Sequence, residues 1–258
     1  MGWKGAAIGG YIGSLFGGPL GAVLGAVLGH KAENVAFGGA KRRRAGYASM
    51  ENHARSMVFC ASAAAMLAKM AKADGHVSRS EICRVENGFR RLGFSVKARE
   101  YAVDVFRRAK DDAHSIYDYA REFAQAVDSV EVRELLYEIL WDVALADGEV
   151  GERELFILQR IPRALGIRAY WYGYFRSRYL GEEAERDEDE LKSAYALLGA
   201  RPGDDADTLK RKYRELAKRN HPDALRAQGL PEEMVGKATE RMMRINDAWS
   251  KVRAARGI

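Results

Sequence analysis

The chain has 258 residues, 47% of them apolar and 30% charged, and carries a formal charge of +6. That composition excludes a disordered chain, and the length allows one large or two small domains. Only 5 prolines, and long stretches rich in Ala, Leu, Arg and Glu, predict an all-α protein. Cys60 and Cys83 form no Cys-x-x-Cys pair, so both are expected to be buried thiols of a reducing compartment.

The first segment, residues 1–30, is read as a transmembrane helix. No residue from Gly5 to Gly29 is charged, and those 25 residues would reach roughly 37 Å as a helix, enough to cross a bilayer with some tilt. Gly5, Gly9, Gly13, Gly17, Gly21, Gly25 and Gly29 recur at every fourth position. In lipid such a glycine face lets two backbones approach closely, so a homodimer through this segment is expected. Gly10 and Gly18 add flexibility, and Pro19 would kink the helix. A flexible tail or two short hairpinned pieces is the competing reading, because nine glycines dilute the apolarity. Residues 31–49 form a basic juxtamembrane linker. Lys31 and Lys41-Arg42-Arg43-Arg44 on the far side outweigh Lys4 on the near side. The positive-inside rule then places the N-terminus outside the inner (cytoplasmic) membrane and the remaining domains in the cytoplasm. The same cluster suits anionic lipid head groups.

Residues 50–180 read as a bundle of six or seven helices with an internal repeat. Ala73-Asp74-Gly75-His76-Val77 with Glu81 returns 73 residues later as Ala146-Asp147-Gly148-Glu149-Val150 with Glu154. Each copy ends one helix at Asp-Gly, with Gly75 and Gly148 suited to the left-handed position after a helix. Ser78 and Glu81 make a capping box in the first copy, and Gly151 takes the cap position before Glu154 in the second. An EF-hand fails here, because Met70, Lys72, Val143 and Leu145 stand where carboxylates are needed. A divalent metal remains possible if the fold brings Asp74, Glu81, Asp147 and Glu154 together across the pseudo-twofold. Tyr170-Trp171-Tyr172-Gly173-Tyr174-Phe175 is read as a last helix that closes the bundle, with a client-binding surface as the alternative. The doubled Asp-Gly pattern resembles the TerB-like domains named after tellurite resistance.

Residues 181–189 form an acidic linker, and residues 190–258 the last domain. The run from Gly181 to Glu190 holds seven acids and one arginine; it is a charged spacer, or a mask for the basic helix that follows. In that helix Leu209, Tyr213, Leu216 and Ala217 share one face, while Lys210, Arg211, Lys212, Arg214, Lys218 and Arg219 cover the rest. Met234, Ala238, Met242, Ile245, Trp249 and Val252 mark a second apolar stripe. The two helices form an antiparallel hairpin with His221-Pro222-Asp223 at its tip. Six cations against Asp207 and Glu215 make a positive stripe suited to an acidic partner, and Asp223 is a lone anion fit to pair with a partner arginine.

This segment resembles the J domain of the DnaJ co-chaperones. Tyr195-Ala196-Leu197-Leu198-Gly199 is similar to its first helix and glycine stop, Lys212-Tyr213-Arg214-Glu215-Leu216-Ala217 to its second, and Ile245-Asn246-Asp247-Ala248-Trp249 to its third. The resemblance implies a docking module that stimulates ATP hydrolysis by a DnaK-type chaperone through the His-Pro-Asp loop and the basic helix. Ala224 departs from the lysine many J domains carry after the tripeptide. A membrane segment, a TerB-like bundle and a C-terminal J domain, in that order, resemble the DjlA family of membrane-anchored co-chaperones. The alternative is an envelope-stress or metal-responsive scaffold in which the bundle is the main module. No enzyme is expected. The five histidines lack metal spacing, and neither a Gly-x-Ser-x-Gly elbow nor a phosphate loop is present. Nucleic acid is not an expected partner, because aromatics do not alternate with the cations.

Overall fold

The computed structural model describes residues 18–23, 47–73, 79–91, 93–145, 150–180, 186–228 and 230–258. Every regular element among them is a helix, as composition predicted. The bundle runs through α1 (Tyr47–Lys72), α2 (Arg79–Arg91), α3 (Val96–Asp111), α4 (Ile116–Ala126), α5 (Val130–Ala144), α6 (Glu152–Leu165) and α7 (Tyr170–Leu180). The C-terminal part holds α8 (Arg186–Leu197), α9 (Ala206–Arg219), α10 (Pro222–Ala227) and α11 (Val235–Arg256).

α1 is the axis of the bundle and packs against α3, α4 and α5. From Met57 to Ala68 it is apolar on nearly every side, with Phe59, Ala61, Ala64, Ala65 and Ala68 at most 1% exposed. A helix of that kind belongs in an interior. The stretch Ala54–Lys72 is long and apolar enough to cross a membrane, yet 78% of that window is buried inside the protein. It is the core helix of the bundle. Around it, Ser95, Ser115 and Ser129 begin α3, α4 and α5, each side chain accepting a hydrogen bond from the N–H three residues on.

The described part of the second copy of the repeat, from Val150 onward, folds as its residues dictate. Gly151 is the N-cap of α6, and its N–H donates to Glu154 Oε2 at 3.0 Å. Pro162 lies inside α6 and has no N–H, so it cannot donate to the Leu158 carbonyl one turn back. The Tyr137 hydroxyl of α5 donates to that carbonyl instead, at 2.8 Å. Gly166 ends the helix at φ +63°. The first copy's Gly75 and Ser78 lie outside the described residues, as does Gly148.

α7 closes the bundle. Trp171 and Phe175 are buried and stacked with centroids 5.4 Å apart, and Phe175 meets the Tyr137 ring at 5.8 Å. These rings face inward, which removes them from a client-binding surface. Cys60 is buried as expected, but Cys83 is exposed: it lies on the outer side of α2, away from the core.

Residues 19–23 form a short helical stretch against the bundle, with Leu20 fully buried. The Leu20 N–H donates to Glu122 Oε2 at 2.6 Å and the Gly21 N–H to Oε1 at 3.3 Å. Leu20 and Val23 are buried against protein here; the rest of the span expected over residues 1–30 lies outside the described residues.

In the C-terminal part α11 packs against α8, α9 and α10. Gly199 stops α8 at φ +62°, with the Ala200 N–H returning to the Tyr195 carbonyl at 2.8 Å. Tyr213 and Trp249 stack at 4.9 Å with ring planes 8° apart, and Leu209, Leu225, Met234, Ala238, Ile245 and Val252 fill the interior.

Candidate functional site

The His221-Pro222-Asp223 segment is not an open hairpin loop. Proline at the first helical position starts α10, and His221 is its N-cap. The His221 carbonyl accepts from the Leu225 N–H at 3.0 Å, and its Nδ1 accepts from the Asp223 N–H at 3.3 Å. The imidazole and the carboxylate both face solvent. Asp223 is not a lone anion. The helical turn puts Arg226 three residues on, and its guanidinium bonds Asp223 Oδ1 at 2.9 Å and Glu232 Oε1 at 3.0 Å. A partner arginine would have to displace Arg226 from a pair that is exposed and therefore weak.

On α9 the apolar face is shallower than its pattern suggested: Leu209 is buried, while Tyr213, Leu216 and Ala217 are half-buried. Lys210, Arg211, Arg214, Lys218 and Arg219 are exposed. Lys212 departs from that row, because it bonds Asp204 Oδ2 at 2.6 Å and holds that carboxyl below its ordinary range. Glu190 at the end of the acidic run pairs with Lys251 of α11 at 2.9 Å, and not with α9.

A second cluster ties the C-terminal part to the bundle. α5 places Glu134, Glu138 and Asp142 on one face at steps of four, and α11 answers with Lys237, Arg241 and Arg244. Glu138 is fully buried, Glu134 is 3% exposed and Arg241 1%. Arg244 Nη2 lies 2.7 Å from both Glu138 oxygens, and Lys237 Nζ lies 2.9 Å from Asp142 Oδ2 and 3.5 Å from Glu138 Oε1. Burial alone would lower the Lys237 pKa, but Asp142 and Glu138 outweigh it and hold the ammonium well above its ordinary range. Burial pushes the Asp142 carboxyl up, with Lys237 opposing.

Glu134 sits at the centre of this cluster. Its Oε1 accepts from Trp171 Nε1 at 2.6 Å, and its Oε2 pairs with Arg241 Nη2. The Arg241 guanidinium lies 4.6 Å from the centroid of the Trp171 ring. Its Nε donates to Asn220 Oδ1 at 2.7 Å. Asn220 is fully buried, caps the end of α9 and donates from Nδ2 to the Leu216 carbonyl at 2.8 Å. The residue after it is His221. The sequence reading passed over Glu134, Arg241 and Asn220. Three acids at steps of four, set among the apolar residues of α5 from Glu134 to Ala144, were the available signal, since such a face needs cations opposite it.

Most of the remaining sequence-predicted residues lie outside the described residues. Asp74 and Asp147 lie outside the described residues, as does the side chain of Glu81. Glu154 spends one oxygen on the α6 cap. Among the described residues no group of three His, Cys, Asp or Glu side chains is placed to hold a metal ion. Of the seven glycines at every fourth position, Gly21 alone is described, beside Glu122; Gly5, Gly9, Gly13, Gly17, Gly25 and Gly29 lie outside.

Comparison with known proteins covers the same three parts. Residues 1–43 match the transmembrane domain of the co-chaperone DjlA, residues 61–172 the tellurite resistance protein TerB, and residues 181–254 the DnaJ domain. Among similar proteins, the co-chaperone protein DjlA of Vibrio parahaemolyticus is 28% identical over 79% of this chain and 80% of its own length. That of Coxiella burnetii is 29% identical over 73% of this chain and 74% of its own. That of Escherichia coli K12 is 28% identical over 79% and 81%. No solved structure matches the chain.

Proposed function

We propose that the chain, similar to DjlA in its transmembrane, TerB and DnaJ parts alike, is a J-domain co-chaperone that stimulates ATP hydrolysis by a cytoplasmic DnaK-type chaperone from a membrane anchor. The observation that carries this reading is an exposed His221 and Asp223 directly after a helix whose Lys210, Arg211, Arg214 and Lys218 all face solvent. Such a row draws in an acidic surface at long range and orients it. The imidazole and the carboxylate then make the short-range contacts, with Asp223 exchanging Arg226 for an arginine of the partner. The chain performs no chemistry itself; it favours one state of the partner by binding that state more tightly.

The anchor is the segment matched over residues 1–43. The cations at Lys31 and at positions 41–44 favour a cytoplasmic bundle and J domain, where a DnaK-type partner is met. The glycine row favours pairing of two copies within the bilayer.

Charge reversal tests the docking face. Lys210→Glu with Arg214→Glu is expected to weaken stimulation about tenfold or more at low salt. It should also flatten the decline of stimulation between about 0.05 and 0.3 M salt. Equal stimulation by the reversed and unmutated chains would remove α9 from the contact.

A further inference from the structure

We propose that Glu134, acting through Arg241 and Asn220, positions the His221-Pro222-Asp223 segment, so that the bundle sets how tightly the J domain docks its chaperone partner. The proposal rests on the co-chaperone reading for its functional half; its structural half stands on contacts that need no partner.

The contacts form one unbroken buried path. It begins on α5 of the bundle, crosses the junction in the Glu134–Arg241 pair, and passes from Arg241 Nε to Asn220 Oδ1 at 2.7 Å. It ends at the last turn of α9, where Asn220 N and Nδ2 both donate to the Leu216 carbonyl, at 3.0 and 2.8 Å. Asn220 is therefore held from both sides, and the backbone leaves it straight into His221, the N-cap of α10. The direction in which α10 departs depends on that grip.

Arg241 cannot shed its charge in the interior, so it must be paired. Glu134 is its carboxylate, and the Trp171 ring covers its guanidinium. Replacing that carboxylate leaves a buried cation with Asn220 as its remaining hydrogen-bond partner on the J-domain side. Arg241 then shifts towards water or pulls on Asn220, and either movement disturbs the start of α10. The neighbouring pair, Glu138 with Arg244, crosses the same junction but makes no contact with Asn220. It serves as the internal control: its loss weakens the junction without touching the path. Glu134, Arg241 and Asn220 are thus positioning residues. They sit behind the docking face and act on it through the backbone.

The test uses the full chain in detergent micelles, comparing Glu134→Gln and Glu138→Gln with the unmutated protein. Two quantities are read. One is the chain concentration giving half-maximal stimulation of single-turnover ATP hydrolysis by a DnaK-type chaperone. The other is the hydrogen-exchange rate of the Asp223 and Leu225 amides without the chaperone. Glu134→Gln is expected to raise the half-maximal concentration about fivefold or more, with the saturating rate unchanged, and to speed exchange at both amides. Glu138→Gln is expected to lower thermal stability yet leave both quantities within about twofold. The proposal is overturned if Glu134→Gln leaves the amides as protected as before. It is also overturned if the amides loosen while the titration stays put, or if Glu138→Gln moves both quantities equally. An unmutated chain that stimulates nothing would sink the co-chaperone reading instead; the exchange rates would still decide whether the bundle holds the segment.

Discussion

Tyr137 shows how one residue answers for another. Pro162 withdraws a donor from α6, and the Leu158 carbonyl left behind is buried in the bundle, where an unpaired acceptor is costly. The Tyr137 hydroxyl makes good the loss. Tyr137→Phe keeps the ring and its contact with Phe175 but orphans the carbonyl, and is expected to destabilise the bundle by about 1–3 kcal/mol. Denaturant unfolding checks this; a change below about 0.5 kcal/mol would mean that another group already serves the carbonyl. Single residues were the least legible level of this sequence. The proline was visible in it, but the tyrosine that repairs it is 25 residues away, and no periodicity links the two. The same holds for Asp223. Its neighbour Arg226 was in plain sight, and only the helix started by Pro222 brings the two side chains together.

Elements were easier to read, because their signals are local. The glycine stop of α8 and the Gly151 start of α6 both follow from conformational preferences that act within a few residues. The stripe on α11 was legible for the same reason, although it left out Arg241, a charged residue on a buried face. What did not follow was how closely elements pack. Gly88 of α2 faces α5, and a Cβ placed there would lie 2.9 Å from Val143 Cγ2. The glycine is needed for the approach of the two helices. Gly88→Leu should therefore cost about 1–3 kcal/mol by overpacking, and adding Val143→Ala should restore part of that loss. If Gly88→Leu is neutral by thermal unfolding, α2 packs more loosely than its position implies. α1 makes the same point from the other direction. Its length and apolarity suit a membrane, and only its neighbours α3, α4 and α5 make it a core helix.

At the scale of the whole molecule, the order of parts was the clearest signal in the sequence, and the junction between them the faintest. A glycine-rich apolar segment, a helical bundle and a His-Pro-Asp segment each carry their own pattern. The junction of α5 with α11 carries none, because it depends on residues about 100 positions apart meeting in space. Yet it decides how the parts work as one object. Buried charges across the junction would be left unpaired if the J domain swung free, so the bundle holds α11 firmly while α9 and α10 stay open to a partner. The role proposed for this open surface is to activate a DnaK-type chaperone. Single-turnover ATP hydrolysis by that chaperone, with the full chain and beside it His221→Gln, tests that role. Stimulation by the unmutated chain and its loss in the variant are expected, with the helical content of both the same. Equal stimulation by the two would contradict the role given to His221, and none by either would move the function from the J domain to the bundle.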